Sequence, residues 1–486
     1  MFKKALVFLL CGMMLIGMLA GCVNNEGPEN SSVQNEDQTW ISPDLEPNSA
    51  LKNTTFNLLS FNEMNVAPEE NSSDPLEDAL YRRDDMIRNH YGITINSLLD
   101  TDYTALSQKV KTDVSAGTGD YNLVYQHMVD AATNLGMQGN LYNLTDLEYV
   151  NFDNPWWDQD CKNGFMFGEN MFVVTGDLLP NTMLVTGAVI FNKNLFDQRG
   201  WEYPYDDARE GTWTIDDMLE MTKDQTQDLN GDGKVTYSDD FFGMTGWALA
   251  CDYNFYFGSG CTMFTFDDDH LPVYNANTDK LQIVYEKVYQ LLETQQALHV
   301  TVSELGSSPS VWGDIEGAFK TGRALFWVAS LSDGNNLRDM DDDYGFLPHP
   351  KYDESQENYL GFVNGVACVA CVPKSLSDSQ LDITGYMMEA LSSSSYYLVT
   401  DTLYSKVAKA KNARDPESAE MVDIIIRHKV FDFGYTHFMG LPCASIFQTS
   451  LDKNSASIIR DITSNERATM KKLKEAYEQY GYDFYE

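Results

Sequence analysis

Between Asp228 and Asp239 the chain reads Asp-Leu-Asn-Gly-Asp-Gly-Lys-Val-Thr-Tyr-Ser-Asp, placing side-chain oxygens of Asp228, Asn230 and Asp232 at alternate positions. Hard oxygen donors at that spacing suit calcium. Gly233 at the sixth place permits a sharp turn, the Lys234 carbonyl serves the seventh, and Asp239 fills the twelfth. Val235 supplies the apolar residue expected at the eighth. Asp239 stands where a longer glutamate is usual, so two-oxygen binding is lost or a water enters the shell. The expected role is structural, pinning the loop that follows a helix starting at Thr214, and a plain acidic turn is the competing reading.

This is the calcium-loop pattern of an EF-hand, present once, and a single loop makes neither a sensor nor a paired calcium module. Catalytic signatures are missing: the sequence holds no GxSxG, HEXXH, Walker A or GxGxxG pattern. With 73 acidic residues, some carboxylate pair will always lie close in space, so that pairing supports no glycosidase by itself. The seven histidines are scattered. Of the eight cysteines, Cys161, Cys251, Cys261, Cys368, Cys371 and Cys443 lie in the body of the chain. Cys251 to Cys261 is the disulfide favoured by sequence distance. Cys368 and Cys371 have half the spacing of a zinc site but no second pair, and read as core residues of a buried strand.

The chain begins with Lys3 and Lys4, an apolar run from Ala5 to Leu19, and then Leu19-Ala20-Gly21-Cys22. This is an export signal, not a fold element. Its end resembles the lipobox of bacterial lipoproteins, which implies cleavage before Cys22, lipidation of that cysteine, and anchoring outside the cytoplasmic membrane. Residues 22 to 50, rich in Asn, Glu, Ser and Pro, read as the lipidated cysteine and a flexible acidic tether. The net charge of −40 becomes −42 once Lys3 and Lys4 leave, a field that repels nucleic acid and excludes it as a partner.

From there, strands and helices alternate. Thr55 to Phe61 is a strand, and Asp74 caps a helix with Pro75 first and Glu77 placed for a reciprocal cap, running to about His90. Gly92 to Leu99 is a strand, Tyr103, Leu106, Val110 and Val114 mark a helix, and Tyr121 to Gln126 is a third strand. Two hairpin-like strands follow, at Met171 to Thr175 and Met183 to Asn192. Thr214 and Asp217 form a capping box that Trp213 staples, and Leu281, Val284, Tyr285, Val288 and Leu292 mark another helix. Ala324 to Ser330 and Val363 to Val372 are buried strands, and helices close the chain, the last carrying Met470, Leu473, Tyr477 and Tyr480. Such alternation argues for an α/β fold with mainly parallel sheets, whose ligands sit outside the carboxyl ends of the strands.

Several segments resemble family 1 extracellular solute-binding proteins, the receptors of ABC importers for sugars. They are Val189-Ile-Phe-Asn192-Lys193-Asn-Leu195-Phe196, Thr212-Trp213-Thr214, Phe319-Lys-Thr-Gly322-Arg-Ala324-Leu-Phe326, Tyr344-Gly-Phe-Leu-Pro348 and the strand ending at Val372-Pro373-Lys374. Their order covers nearly all of Thr54 to Gly481. One departure is that only Gly365 precedes the strand at Val366, where relatives often carry two glycines.

The resemblance implies a two-lobed, periplasmic-binding-protein-like fold with discontinuous lobes and a hinge. The first lobe is expected to take residues 51–182 and 309–344, and the second 183–308 and 345–486. The expected ligand is a carbohydrate and the partner an ABC transporter permease, with no catalysis; a surface-anchored glycan-degrading enzyme and a surface adhesin are the competing readings. Sugars need flat apolar faces and oriented hydrogen-bonding groups. The aromatic candidates are Trp156, Trp157, Trp247, Tyr253, Tyr256, Trp312 and Trp327, with Trp247 and Tyr253 favoured because they follow a short strand in a Gly-rich stretch. The polar candidates at strand ends or loops are Asn62, Glu63, Gln126, Asp177, Asp333 and Asn364.

Overall fold

The computed structural model describes residues 40–484, apart from 63–64, 67–69, 71, 277, 295, 301–310, 405–414, 440 and 456. The signal, Cys22, Glu63 and the Trp312 side chain lie outside the described residues. The strands among the described residues, in chain order, are β1 (Thr55–Ser60), β2 (Thr94–Leu99), β3 (Leu123–His127), β4 (Gly187–Asn192), β5 (Phe242–Trp247), β6 (Phe264–Phe266), β7 (Pro272–Tyr274), β8 (Leu298–Val300), β9 (Ala324–Ser330), β10 (Tyr344–Leu347), β11 (Gly361–Phe362), β12 (Cys368–Cys371) and β13 (Lys429–Val430).

Two sheets organise the molecule. The first has the order β12-β3-β1-β2, with β1 parallel to β2 and β3, and β12 running against β3 in the register Cys368↔His127 and Cys371↔Val124. The second has the order β10-β4-β9-β5-β8, in which β4 runs against β9 and β10 while β5 is parallel to β8 and β9. β9, expected in the first lobe, is buried on both faces between β4 and β5 in the second sheet, and β12, expected in the second lobe, fills the open edge of β3 in the first.

Helices cover both sheets. α1 (Pro75–Tyr91) starts where Asp74 accepts the Leu76 and Glu77 amides. The reciprocal cap expected of Glu77 is replaced: its carboxylate takes the Ser72 hydroxyl, and the Asp74 amide donates to Ser72 Oγ. α2 (Tyr103–Ala116) follows β2. On the second sheet, α3 (Ile215–Thr222) has the complete capping box of Thr214 and Asp217, and Trp213 is fully buried with its indole N–H on the Pro348 carbonyl at 3.0 Å. α5 (Asp279–Tyr289) packs beside both α3 and α4 (Ala248–Gly258). α6 (Asp378–Leu398) lies with α1 on the first sheet, α7 (Pro416–Arg427) packs on β10, and α8 (Ile458–Tyr480) closes the chain. No helix among the described residues is long and apolar enough to cross a membrane.

One apolar core runs through both sheets, from Leu59 and Val124 to Ile190 and Phe326, bridged by Phe165, Phe431 and Phe433. A second core covers the other face of the first sheet around Phe56, Tyr125 and Cys368. Cys371 belongs to the bridging core and Cys368 to the other, so the two thiols point to opposite faces and cannot share a metal. All six body cysteines are buried and free, Cys251 and Cys261 included, contrary to the pairing favoured by sequence distance.

Three expected strands are interrupted. Val174 makes a single bridge to Ala370, Pro180–Val185 is a 3₁₀ turn, and between β11 and β12 the segment 363–367 crosses between sheets instead of pairing along its length. Residues 40–50, expected in the tether, belong to the folded body: Ser42 is buried, and Tyr386 donates to the Glu46 carbonyl.

Candidate functional site

The segment 182–187 carries the chain from one sheet to the other. At one end the Thr182 hydroxyl donates to the Cys368 carbonyl at 2.9 Å, beside the end of β3; at the other, Leu331 N–H donates to Thr186 O at 3.1 Å and Gly187 pairs with Ser330 at the end of β9. A second crossing runs beside it, with Thr186 bridged to Val363 and Asn364 N–H on Val185 O. The carboxyl ends of β1 and β3 and of β5 and β9 therefore border the same crossing, the position where α/β sheets hold ligands.

On the first-sheet side, Phe61, Tyr103 and His127 form an aromatic group. The Tyr103 and His127 rings stack at 4.6 Å, and Phe61 stands edge-on to both at 5.9 and 5.8 Å. Tyr103 is 43% exposed and Val366 46% exposed. Burial pushes the His127 imidazole down to about 4, against a smaller opposing effect of Asp130, so the ring is neutral at neutral pH. None of these three rings was singled out by sequence. Tyr103 fitted the apolar period of α2 and read as core, although its place at the first turn, before the period is established, was the signal.

Of the expected residues, Asn62 and Trp247 lie at these strand ends, Asp333 in the 3₁₀ turn just after β9, and Asn364 on the second crossing. Asn62 and Trp247 are half-buried; Asn364 is half-buried and its side chain accepts the Val366 amide. Asp333 spends one oxygen capping Ser330, through the amide at 2.7 Å and the hydroxyl at 2.8 Å, while burial raises its pKa. Gly365 is needed for a protein contact: a Cβ there would stand 2.6 Å from the Tyr435 hydroxyl.

Four candidates move to the interior. Gln126 is fully buried and donates to Tyr103 O and Ser107 Oγ, both at 2.9 Å, while its carbonyl takes the His127 amide. Tyr253 and Tyr256 fall on α4, not in a loop, and that helix is packed all round. Tyr253 donates to Ala444 O, and Tyr256 stacks on Phe447. Trp327 is buried in β9 against Phe319.

Trp156, Trp157 and Asp177 gather elsewhere, on a cavity of about 460 Å³. Its walls are Pro155–Asp160, the segment from Thr175 to Met183 that leads into the crossing, Tyr396 near the end of α6 with Thr400 and Tyr404 beyond it, and Arg427 and Lys429. Both indoles are buried and donate to Glu389, from Trp156 at 3.2 Å and from Trp157 at 3.0 Å. Burial raises the Glu389 pKa, and the donors on its oxygens offset part of that. Asp177 accepts the Thr400 hydroxyl at 2.6 Å, and burial pushes its carboxyl up to about 6. Lys429 pairs with Asp158 at 3.1 Å; burial acts to lower its pKa, but Asp158 and Asp160 outweigh it and hold it above the ordinary value.

The acidic loop is exposed and organised by its own backbone. Asp228 accepts the Gly231 and Gly233 amides, Asn230 accepts that of Asp232, and Asp232 that of Lys234. Gly233 sits at φ +82°, a value L side chains rarely adopt. Asp239 holds Asn230 Nδ2 at 2.7 Å and Thr236 Oγ1 at 2.6 Å, and buried Asp240 ties both ends by accepting the Leu229 and Thr236 amides. These bonds keep Asp228, Asn230, Asp232 and Asp239 on one short loop with acceptor capacity remaining. Among the described residues no three Asp, Glu, His or Cys side chains already stand in metal-holding positions.

No curated protein sequence matches this chain. Its fold is similar to that of an ABC substrate-binding protein from Listeria monocytogenes in complex with cycloalternan, at 13% identity and TM-score 0.54 over 88% of this chain and 100% of that one. It is similar to a cyclo/maltodextrin-binding protein complexed with maltotetraose, at 14% identity and TM-score 0.55 over 87% and 97%. The GacH receptor of Streptomyces glaucescens, known unliganded and with acarbose, matches at 13% identity and TM-score 0.54 over 87% and 99%. The architecture is thus the two-lobed, periplasmic-binding-protein-like α/β fold. A family model for bacterial extracellular solute-binding proteins matches residues 84–417, and the chain belongs to that family.

Proposed function

We propose that this protein is a receptor that captures a carbohydrate, of oligosaccharide length, between its lobes and delivers it to an ABC transporter permease. The observation that carries the reading is the half-open aromatic group of Tyr103, His127 and Phe61 at the strand ends of one sheet, with half-buried Trp247 at a strand end of the other. Flat rings with amides alongside, here Asn62 and Asn364, suit the alternating C–H faces and hydroxyls of a sugar. The saccharides bound by the structural neighbours agree with it. Cys22 carries the lipid that holds the receptor on the outer face of the membrane, and calcium held by Asp228, Asn230, Asp232, the Lys234 carbonyl and Asp239 pins the acidic loop.

The test is a thermal-shift screen of the body from Trp40 onward against mono- and oligosaccharides, with and without calcium, since a ligand of the folded state raises the midpoint by mass action. A sugar-specific shift with the sugar recovered intact supports a receptor. Recovery of cleaved sugar identifies a glycan-degrading enzyme instead, and a shift with peptides alone overturns the carbohydrate reading.

A further inference from the structure

The segment just after the tether and the tryptophan wall of the 460 Å³ cavity meet on one buried carboxylate. Ser42, 1% exposed, donates its hydroxyl to Glu389 Oε1 at 3.1 Å and its amide to Ser393 Oγ at 3.1 Å. The same Oε1 takes Asn154 Nδ2 at 2.7 Å and Trp156 Nε1 at 3.2 Å, and Oε2 takes Trp157 Nε1 at 3.0 Å. Asp44 adds a second tie, accepting from the side chains of Asn151 and Asn154 at 3.2 and 3.0 Å. Trp40 packs edge-on against His90 of α1 at 5.7 Å. The wall is also tied to the segment that leads into the crossing: Asp177 N–H donates to Trp156 O, and Asp158 N–H to Thr175 O.

We infer that residues 40–46 form a strap coupled through Glu389 to the Trp156–Trp157 wall, so that the junction with the tether and the crossing between the lobes respond to each other. Glu389 is a positioning residue here, and no ligand is required for the coupling. The physical basis is sharing. A buried carboxylate that loses one donor leaves its charge less satisfied, so its remaining bonds and the groups they hold rearrange together.

Coupling between two sites is reciprocal, which gives a test that ordinary structural support would not pass. Amide hydrogen exchange is measured on the chain from Cys22 onward, unmodified and as Ser42→Ala, Trp157→Phe and Glu389→Gln. Ser42→Ala touches only the strap, and Trp157→Phe keeps the ring but removes the indole N–H. Losing one such bond corresponds to about fivefold faster exchange. Ser42→Ala should speed exchange at 154–158 as well as at 40–46, and Trp157→Phe should speed exchange at 40–46 by a similar factor, with α8 unchanged in both. Glu389→Gln should speed both segments. Faster exchange confined to the mutated segment in either single variant overturns the inference, and so does a uniform rise that includes α8. If Glu389→Gln fails to fold, the two milder variants still decide.

Discussion

Lys429, at the start of β13, holds Asp158 at 3.1 Å while its backbone amide donates to Asp160 at 3.1 Å, so one residue ties the wall at Pro155–Asp160 to the strand leaving α7. The pair is mostly shielded, with 18% and 13% of the two side chains exposed. We predict that Lys429→Met destabilises the protein by about 2 kcal/mol, between the values for exposed and for fully buried pairs. Adding Asp158→Asn should recover part of that loss. Urea unfolding of the four members of the cycle checks it; fully additive losses would mean that the ion pair contributes nothing of its own.

Tyr103→Ala and Trp247→Ala should each weaken carbohydrate binding by about 1–2 kcal/mol, roughly tenfold in Kd. Because Tyr103 is 43% exposed, its replacement should leave the unfolding midpoint nearly unchanged. Calorimetric titration with the sugar found in the screen is the measurement. Undiminished affinity in both variants would remove the aromatic group from the binding site.

Calcium should raise the thermal midpoint through the acidic loop, by an amount equivalent to about 2.7 kcal/mol at a hundredfold excess over Kd. Asp228 accepts the Gly231 and Gly233 amides on separate oxygens, so Asp228→Asn keeps only one of these bonds and removes a charge; it should abolish the calcium response and lower the calcium-free midpoint only slightly. A calcium shift that survives Asp228→Asn and Asp239→Asn would assign the ion elsewhere.

Asp177 gives a pH dependence with a definite sign. Its folded pKa of about 6 lies above the ordinary carboxylate value, so between about pH 4 and pH 6 the folded state binds more protons than the unfolded chain. Its contribution to stability therefore falls as pH rises through that window and is constant above it. Asp177→Asn retains an acceptor for Thr400 and lacks this loss. The stability of the variant relative to wild type should increase from pH 4 to pH 7 by about 1–3 kcal/mol, read from denaturant midpoints at a series of pH values. A difference independent of pH would refute the raised pKa.

Gly176 has no room for a side chain: a Cβ would stand 2.3 Å from Trp156 O and 3.1 Å from Trp157 Cα. Gly176→Ala should cost about 2 kcal/mol or more by forcing the tryptophan wall from the crossing. Its unfolding midpoint tests this, and an unchanged midpoint would show that the wall yields freely.

Local chemistry was read well from sequence. Asp74 with Pro75 and Thr214 with Asp217 start helices because the information needed lies within four residues, and the structure uses both. Partner choice was not legible in the same way. The strand Ala324–Ser330 was recognised from its apolar run, but which sheet it joins depends on β4 and β5, far away in the chain. Likewise, a run such as Val363 to Val372 shows burial without showing that its first half crosses between sheets. Asn62 and Trp247 lie at strand ends and Asp333 just beyond one, positions legible in sequence because a strand end is a local property. Gln126 and Tyr253 failed because burial is decided by what packs on top, Ser107 and Asp130 for the one and the segment at Ala444 for the other. Glu389 carried no signal, as a single acidic residue in a helix ordinarily faces water.

The late arrival of β12 has a consequence for how the chain is made. As a ribosome extends the polypeptide, β1, β2 and β3 emerge early, but the outer edge of β3 has no partner until Cys371 has been synthesised. The nascent first sheet is left with an open strand edge, and its fourth strand comes only after the whole of the second sheet has been laid down. The second sheet can be completed on its own, whereas the first cannot. Closure of the first sheet therefore waits until most of the chain has left the ribosome.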